Sequence, residues 1–224
     1  MVSKRRLDDR DIRRRSPTRK PKRRILIVCE GRETEPGYFN AFKNEVRNER
    51  VKIRREDRLP LDKIEIKTKN TPIRIVQFAI EQKKEAQEDA VRQRDENLCW
   101  DEVWGVFDID EHAHIDKVRK LAQKHGIELA ISNPCFELWE LLHFQDQHGH
   151  IERQSARTTL RRYLPEYDKL IDSSSFSKLY AGYDGALKRA NALDHEATLH
   201  KEPGRNPTTG VYRLTESIKL EGSP

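Results

Sequence analysis

Two acidic clusters stand out in the chain by residue type and position. Glu30, Glu33 and Glu35 fall in EGRETE, directly after the apolar run Ile25–Cys29, and Asp108 and Asp110 form a DxD directly after EVWGVF. In an extended segment, residues two apart lean to the same side, so Asp108 and Asp110 can face one point. Two carboxylates about 5 Å apart at an effective dielectric of about 20 repel by roughly 3 kcal/mol. A site built this way is costly unless a divalent cation or a basic partner neutralises it. Oxygen ligands without His or Cys select hard ions, Mg²⁺ or Mn²⁺. Glu30, Asp108 and Asp110 are the primary ligand candidates. Glu35 is a further one and Glu33 a weaker one, because a helix beginning near Pro36 holds Glu35 closer to the strand.

The same residues have a structural alternative. Acidic pairs at strand ends cap the following helix, and Asp110 is positioned to cap the helix that carries Ile115. Glu137 has two accounts as well. In SNPCFELWE, Ser132 or Asn133 reads as a helix cap and Glu137 suits the positive end of the helix dipole. Glu137 can equally join the acidic cluster as a ligand or water-orienting group. His112 and His114 flank the DxD, but at helical spacing their rings point about 200° apart and cannot share one ion. His143, His148 and His150 lack zinc-like partner spacing. Solvated or internally satisfied histidines are the simpler reading.

These residues need elements to position them. Ile25–Cys29 (ILIVC) reads as a strand buried on both faces, as in a parallel sheet. A helix with Tyr38, Phe39, Phe42 and Val46 on one face follows. KIEIKT (63–68) alternates as a second strand, and Pro72 opens a helix with Ile73, Val76 and Ile80 inward. Glu102–Asp108 is a third strand, followed by a helix with Ile115, Val118, Leu121 and Ala122 inward that Gly126 stops. IELAI (127–131) is a fourth strand, and an apolar helix follows. Alternating strands and helices predict an α/β fold with a mostly parallel sheet, and in such sheets ligands bind beyond the strand carboxyl ends. Both acidic clusters fall there. If the first and third strands are neighbours, the carboxylates converge.

The domain reading is a basic disordered tail over 1–24, an α/β domain over 25–145, and a C-terminal helical extension over 146–224 packed on the core, with helical patterns near 155–164 and 177–193 and no clear strand between them. Residues 1–24 hold twelve Lys and Arg against three Asp, a charge of +9, while the whole chain carries +6. The basicity therefore belongs to the tail. It reads either as an arm that meets nucleic-acid phosphates or as a solvated segment. Arg161, Arg162, Lys188 and Arg189 have the same two readings. Charged residues make up 37% of the chain and no apolar run approaches the roughly 18–20 residues of a membrane span. With no signal region, and with Cys29, Cys99 and Cys135 reading as reduced core residues, a cytoplasmic protein is expected. Trp104, Phe136 and Trp139 are core candidates.

EGRETEPGYF, VWGVFDID, SNPCFELWELLHF and NPTTGVYRL together resemble the RloB-like proteins, a Toprim-related group, over about residues 24–214. Toprim domains pair a Glu after the first strand with a DxD after the third, the places of Glu30 and of Asp108 and Asp110. The resemblance implies a Toprim-like fold and Mg²⁺-dependent phosphodiester hydrolysis of DNA or RNA. Asp108, Asp110 and Glu35 would hold the metal, and Glu30 would act as general base or bridging ligand. It also implies a setting in restriction-modification, abortive-infection and phage-defence loci, beside an AAA-type or ABC-type ATPase partner. A non-catalytic nucleic-acid-binding or regulatory subunit is the alternative. A HAD-like phosphatase is a further one, from the likeness of VFDID to hhhhDxD, although in that fold the DxD follows the first core strand.

Overall fold

The computed structural model describes residues 23–55, 71–109, 115–167 and 171–220. Its centre is a five-stranded sheet in the order β2-β1-β3-β4-β5. The strands are β1 (Ile25–Cys29), β2 (Lys52–Arg55), β3 (Glu102–Asp108), β4 (Glu128–Asn133) and β5 (Thr208–Thr209). β1 pairs in parallel with both β2 and β3, β3 pairs in parallel with β4, and β5 closes the edge antiparallel to β4. The expected α/β fold, a mostly parallel sheet flanked by helices, is what the chain forms.

The helices are α1 (Thr34–Glu45), α2 (Pro72–Gln93), α3 (Ile115–His125), α4 (Glu137–Leu141), α5 (Arg153–Tyr163), α6 (Ser173–Ala181), α7 (Tyr183–Leu199) and α8 (Val211–Leu220). Alternation along the strands sorts the core into two layers. Ile25, Ile27 and Cys29 of β1 join Trp104 and Val106 of β3 in a cluster completed by side chains of α1 and α4 to α8. Leu26, Val28, Val103 and Phe107 face the other way, against Ile75, Val76 and Ala79 of α2 and Val118 and Ala122 of α3. Asp108 has the parity of Trp104 and Val106. Its carboxylate therefore belongs to the α1, α4 and α5 side of the sheet.

Several expectations move by a few residues. The buried stripe of α2 runs through Ile75, Val76 and Ala79, while Ile73 and Ile80 are half-buried at its margins. The strand expected at 63–68 lies outside the described residues. Among the described residues, β2 is formed by Lys52–Arg55, whose sequence KIRR shows little apolar patterning because it lies at the edge of the described sheet with alternate residues exposed. Residues 146–224 hold α5 to α8 and also supply β5, a strand not anticipated there. Their apolar side chains, among them Leu160, Leu179 and Leu214, lie in the same cluster as β1 and β3. Arg23 and Arg24, assigned above to the tail, are tied to the domain. Arg23 pairs with Glu102 at 2.6 Å and the Arg24 guanidinium lies over the Trp100 ring. Residues 1–22 lie outside the description.

Among the described residues no helix is long and apolar enough to cross a membrane. All three cysteines are free, Cys29 and Cys135 buried and Cys99 half-buried. Trp104, Phe136 and Trp139 are core residues as read from their apolar surroundings.

Candidate active site at the strand carboxyl ends

β1 and β3 are neighbours in parallel register, Cys29 opposite Val106, so the residues leaving their carboxyl ends meet. Glu30 donates its backbone N–H to the Val106 carbonyl at 3.0 Å, and a Glu30 carboxylate oxygen accepts the Asp108 backbone N–H at 3.3 Å. That pair of bonds clips the end of one strand to the end of the other. Asp108 is 9% exposed.

Glu35 arrives from the first turn of α1 and is 5% exposed. Its carboxylate lies so close to Gly31 that any Cβ at that position would overlap it. The φ of Gly31 lies outside the left-handed region, and its role is to leave room for Glu35. Glu137 opens α4 and is 2% exposed. It accepts a hydrogen bond from Arg157 Nε at 2.6 Å, while Arg153 Nη1 lies 3.1 Å from Asp108 Oδ2.

Glu30, Glu33, Glu35, Asp108 and Glu137 line one open pocket of ≈ 370 Å³ with Arg32, Arg153 and Arg157, floored in part by Phe136. Its electrostatics are strained. Burial pushes the Asp108 carboxyl well above the usual carboxylate range, and Glu35, Glu137 and Glu30 add to this while Arg153 opposes it. Glu35 is raised as well, first by burial and then by Glu137. The N–H groups of Glu35 itself and of Gly31, together with Arg153, favour its charged form. Carboxylates raised by burial and further by one another mark a pocket that is short of positive charge.

The donor set is all carboxylate oxygen, which fits a hard divalent cation in chemistry. Among the described residues, however, no three Asp, Glu, His or Cys side chains stand in metal-holding geometry. Asp108 and Glu137 are instead turned toward guanidinium partners.

The match to known families decides the relationship. Residues 25–218 match the RloB-like protein family. The chain belongs to that family. No curated protein and no solved structure matches it.

Within this RloB-like chain, the pocket gathers four of the residues singled out from sequence: Glu30, Glu35, Asp108 and Glu137, with Glu33 at its rim. Asp110, His112 and His114 lie outside the described residues. The capping role expected of Ser132 and Asn133 is not what they do. α4 begins after Phe136 with no side-chain cap, Ser132 Oγ meets Thr209 Oγ1 at 2.9 Å, and Asn133 Nδ2 donates to the Gly204 carbonyl at 2.8 Å. Both residues fasten β4 to the segment around β5. The physical reason is that β4 runs on through Asn133, so their side chains meet the next strand before any helix begins. His143 is buried between the Trp139 carbonyl at 2.9 Å and the Tyr38 hydroxyl at 3.3 Å, a satisfied core histidine. His148 and His150 are exposed. Arg189 pairs with Asp146 at 2.6 Å and Arg161 donates to the Tyr167 carbonyl at 3.2 Å, while Arg162 and Lys188 face solvent or its margin.

Sequence reasoning missed Arg153 and Arg157. The readable signal was their four-residue spacing in RQSARTTLRR, which puts both on one face of α5. It also missed Glu140, 0% exposed, whose Oε2 accepts the Tyr167 hydroxyl at 2.6 Å and whose Oε1 has no partner among the described residues.

Proposed function

We propose that this chain is a nuclease that hydrolyses phosphodiester bonds in DNA or RNA with Mg²⁺ or Mn²⁺, held by Asp108, Glu35 and Asp110, with Glu30 and Glu137 at the same site. One observation carries the reading. Carboxylates from four separate segments, the ends of β1 and β3 and the starts of α1 and α4, line one pocket at the sheet's carboxyl edge beside three arginines. A Toprim-like arrangement is supported by the parallel pairing of β1 with β3, which sets Glu30 beside Asp108. Asp108 ends the third strand rather than the first, which disfavours a HAD-like phosphatase.

Bound there, the cation would polarise the scissile phosphate and acidify a water. Glu30, oriented by the Asp108 amide, takes the proton of the attacking water. Water adds to phosphorus as the bond to the leaving oxygen breaks, and that oxygen is protonated from solvent. Glu137, fixed by Arg157, orients the site. The family's association with phage-defence loci supports a role as an effector beside an ATPase partner of AAA or ABC type.

The second reading is a pocket that binds nucleic acid for such a partner without cutting it. The two ion pairs favour it, since they already neutralise Asp108 and Glu137. Cleavage of tRNA, single-stranded DNA and plasmid in Mg²⁺ or Mn²⁺, with and without the partner, separates the two. Hydrolysis that Glu30→Ala and Asp110→Asn abolish supports the nuclease. Absence of cleavage under every condition, or equal cleavage by the variants, sinks it.

A further inference from the structure

The two arginines of α5 have different hydrogen-bonding states. Arg153 is engaged through Nη1 to Asp108 and through Nη2 to the Pro134 carbonyl at 3.3 Å. Arg157 bonds Glu137 through Nε alone, at 2.6 Å, and its two terminal nitrogens carry no protein partner among the described residues. An arginine anchored through one edge is oriented, and the edge left over is a planar fork of donors suited to a phosphate. Glu137 is almost fully buried, whereas the Arg157 side chain is 30% exposed. The guanidinium is therefore more open to solvent than its carboxylate and is accessible to an anion entering the pocket.

Charge sets the order of events. Glu30, Glu35, Asp108 and Glu137 face Arg153 and Arg157 in one pocket. With Glu33 and Arg32, which also line it, five carboxylates outweigh three guanidiniums when fully ionised, so a phosphate is repelled until a cation adds to the balance. The Glu137 partner keeps Arg157 in place without consuming its fork.

We propose that Arg157 is the phosphate-binding residue of the pocket, positioned by Glu137, and that it takes a phosphodiester group of a nucleic-acid strand once a divalent cation offsets the surplus carboxylate charge. Arg153 serves as the standing counter-charge of Asp108. The proposal rests on the functional reading above for the identity of the ligand, and on the geometry of α5 for the residue.

The test is fluorescence anisotropy of a labelled single-stranded oligonucleotide on the full chain, in Ca²⁺ and in chelator, across a salt series. The twelve Lys and Arg before Ile25 would add salt-dependent affinity of their own if they meet the strand, so the salt slope is read together with the affinity. Arg157→Gln should weaken binding about tenfold in Ca²⁺ and reduce the salt slope by about one. Arg157→Lys should recover part of the loss, and the exposed Lys84→Gln on α2 should stay within about twofold of wild type. Thermal shift with pyrophosphate forms a second arm. A shift lost in Arg157→Gln while oligonucleotide binding holds assigns the residue to free phosphate rather than to a strand. Wild-type behaviour of Arg157→Gln in both arms overturns the proposal. If that variant does not fold, Glu137→Gln/Arg157→Gln removes both charges and answers the same question. Cleavage measured on the same proteins separates the two readings. Lost binding without any wild-type cleavage keeps Arg157 and discards the nuclease, whereas wild-type cleavage that Arg157→Gln retains does the reverse.

Discussion

The carboxylate of Glu35 occupies the space that a side chain on Gly31 would fill. The contact couples the first turn of α1 to the end of β1, and the Gly31 N–H favours the charged carboxylate that rests on it. Gly31 is therefore part of the site although it has no side chain.

Gly31→Ala should displace Glu35 without removing any ligand. The expected effect is a loss of roughly 10–100-fold in divalent-cation affinity, the usual scale for residues that orient ligands. Mn²⁺ titration followed by electron paramagnetic resonance reads it directly, and unchanged affinity would separate Glu35 from the cation.

Asp108→Asn should stabilise the metal-free protein at neutral pH. Burial and neighbouring carboxylates hold the folded Asp108 carboxyl above its unfolded value of 3.8, so wild-type stability declines as pH rises from about that value towards the folded pKa. The amide carries no such dependence, although it gives up the ion pair with Arg153. A gain on the order of 0.5–2 kcal/mol at pH 7, the common range for stabilising single substitutions, should vanish near pH 4. Divalent cation should then raise the wild-type melting temperature more than that of the variant.

Acid should destabilise the fold through His143. Burial pulls its pKa from 6.5 down to about 4, so the folded state resists protonation. Its contribution is whole above about pH 6.5 and is lost as pH falls towards 4, about 3 kcal/mol in all. Asp108 and Glu140 act in the opposite sense over the same range, so the contribution is read as the difference in denaturant midpoint between wild type and His143→Gln from pH 7.5 to 4, which should change with this slope.

Tyr167→Phe tests the fully buried Glu140. Its Oε1 already has no partner among the described residues, and losing the tyrosine hydroxyl leaves Oε2 without its bond. A cost of roughly 1–3 kcal/mol follows. Burial and the nearby Glu137 and Glu35 raise the Glu140 pKa despite Tyr167, so its folded form prefers the proton, and stability falls as pH climbs above 4.5. The cost of Tyr167→Phe should therefore be larger at pH 8 than at pH 5, and Glu140→Gln should remove the difference.

Much of this molecule was determined locally. The runs ILIVC and EVWGVFD form strands because they can be buried on both faces, and Glu30 and Asp108 terminate them because a charged residue cannot continue into a dry core. Tyr38, Phe39 and Phe42 share one face of α1 by helical spacing alone. Strand order was not local. That β1 lies between β2 and β3, and that Glu30 and Asp108 hydrogen-bond each other, depended on pairing between segments 78 residues apart. Likewise, only the folded chain shows Gly31 yielding space to Glu35, Ser132 and Asn133 fastened to the β5 segment, and Arg153 and Arg157 facing carboxylates that precede them by 45 and 20 residues. Spacing along a chain reports which residues share a face. Which faces meet is decided by burying the apolar sides of α4 and α5 against the sheet, and that packing carries the charged residues into contact.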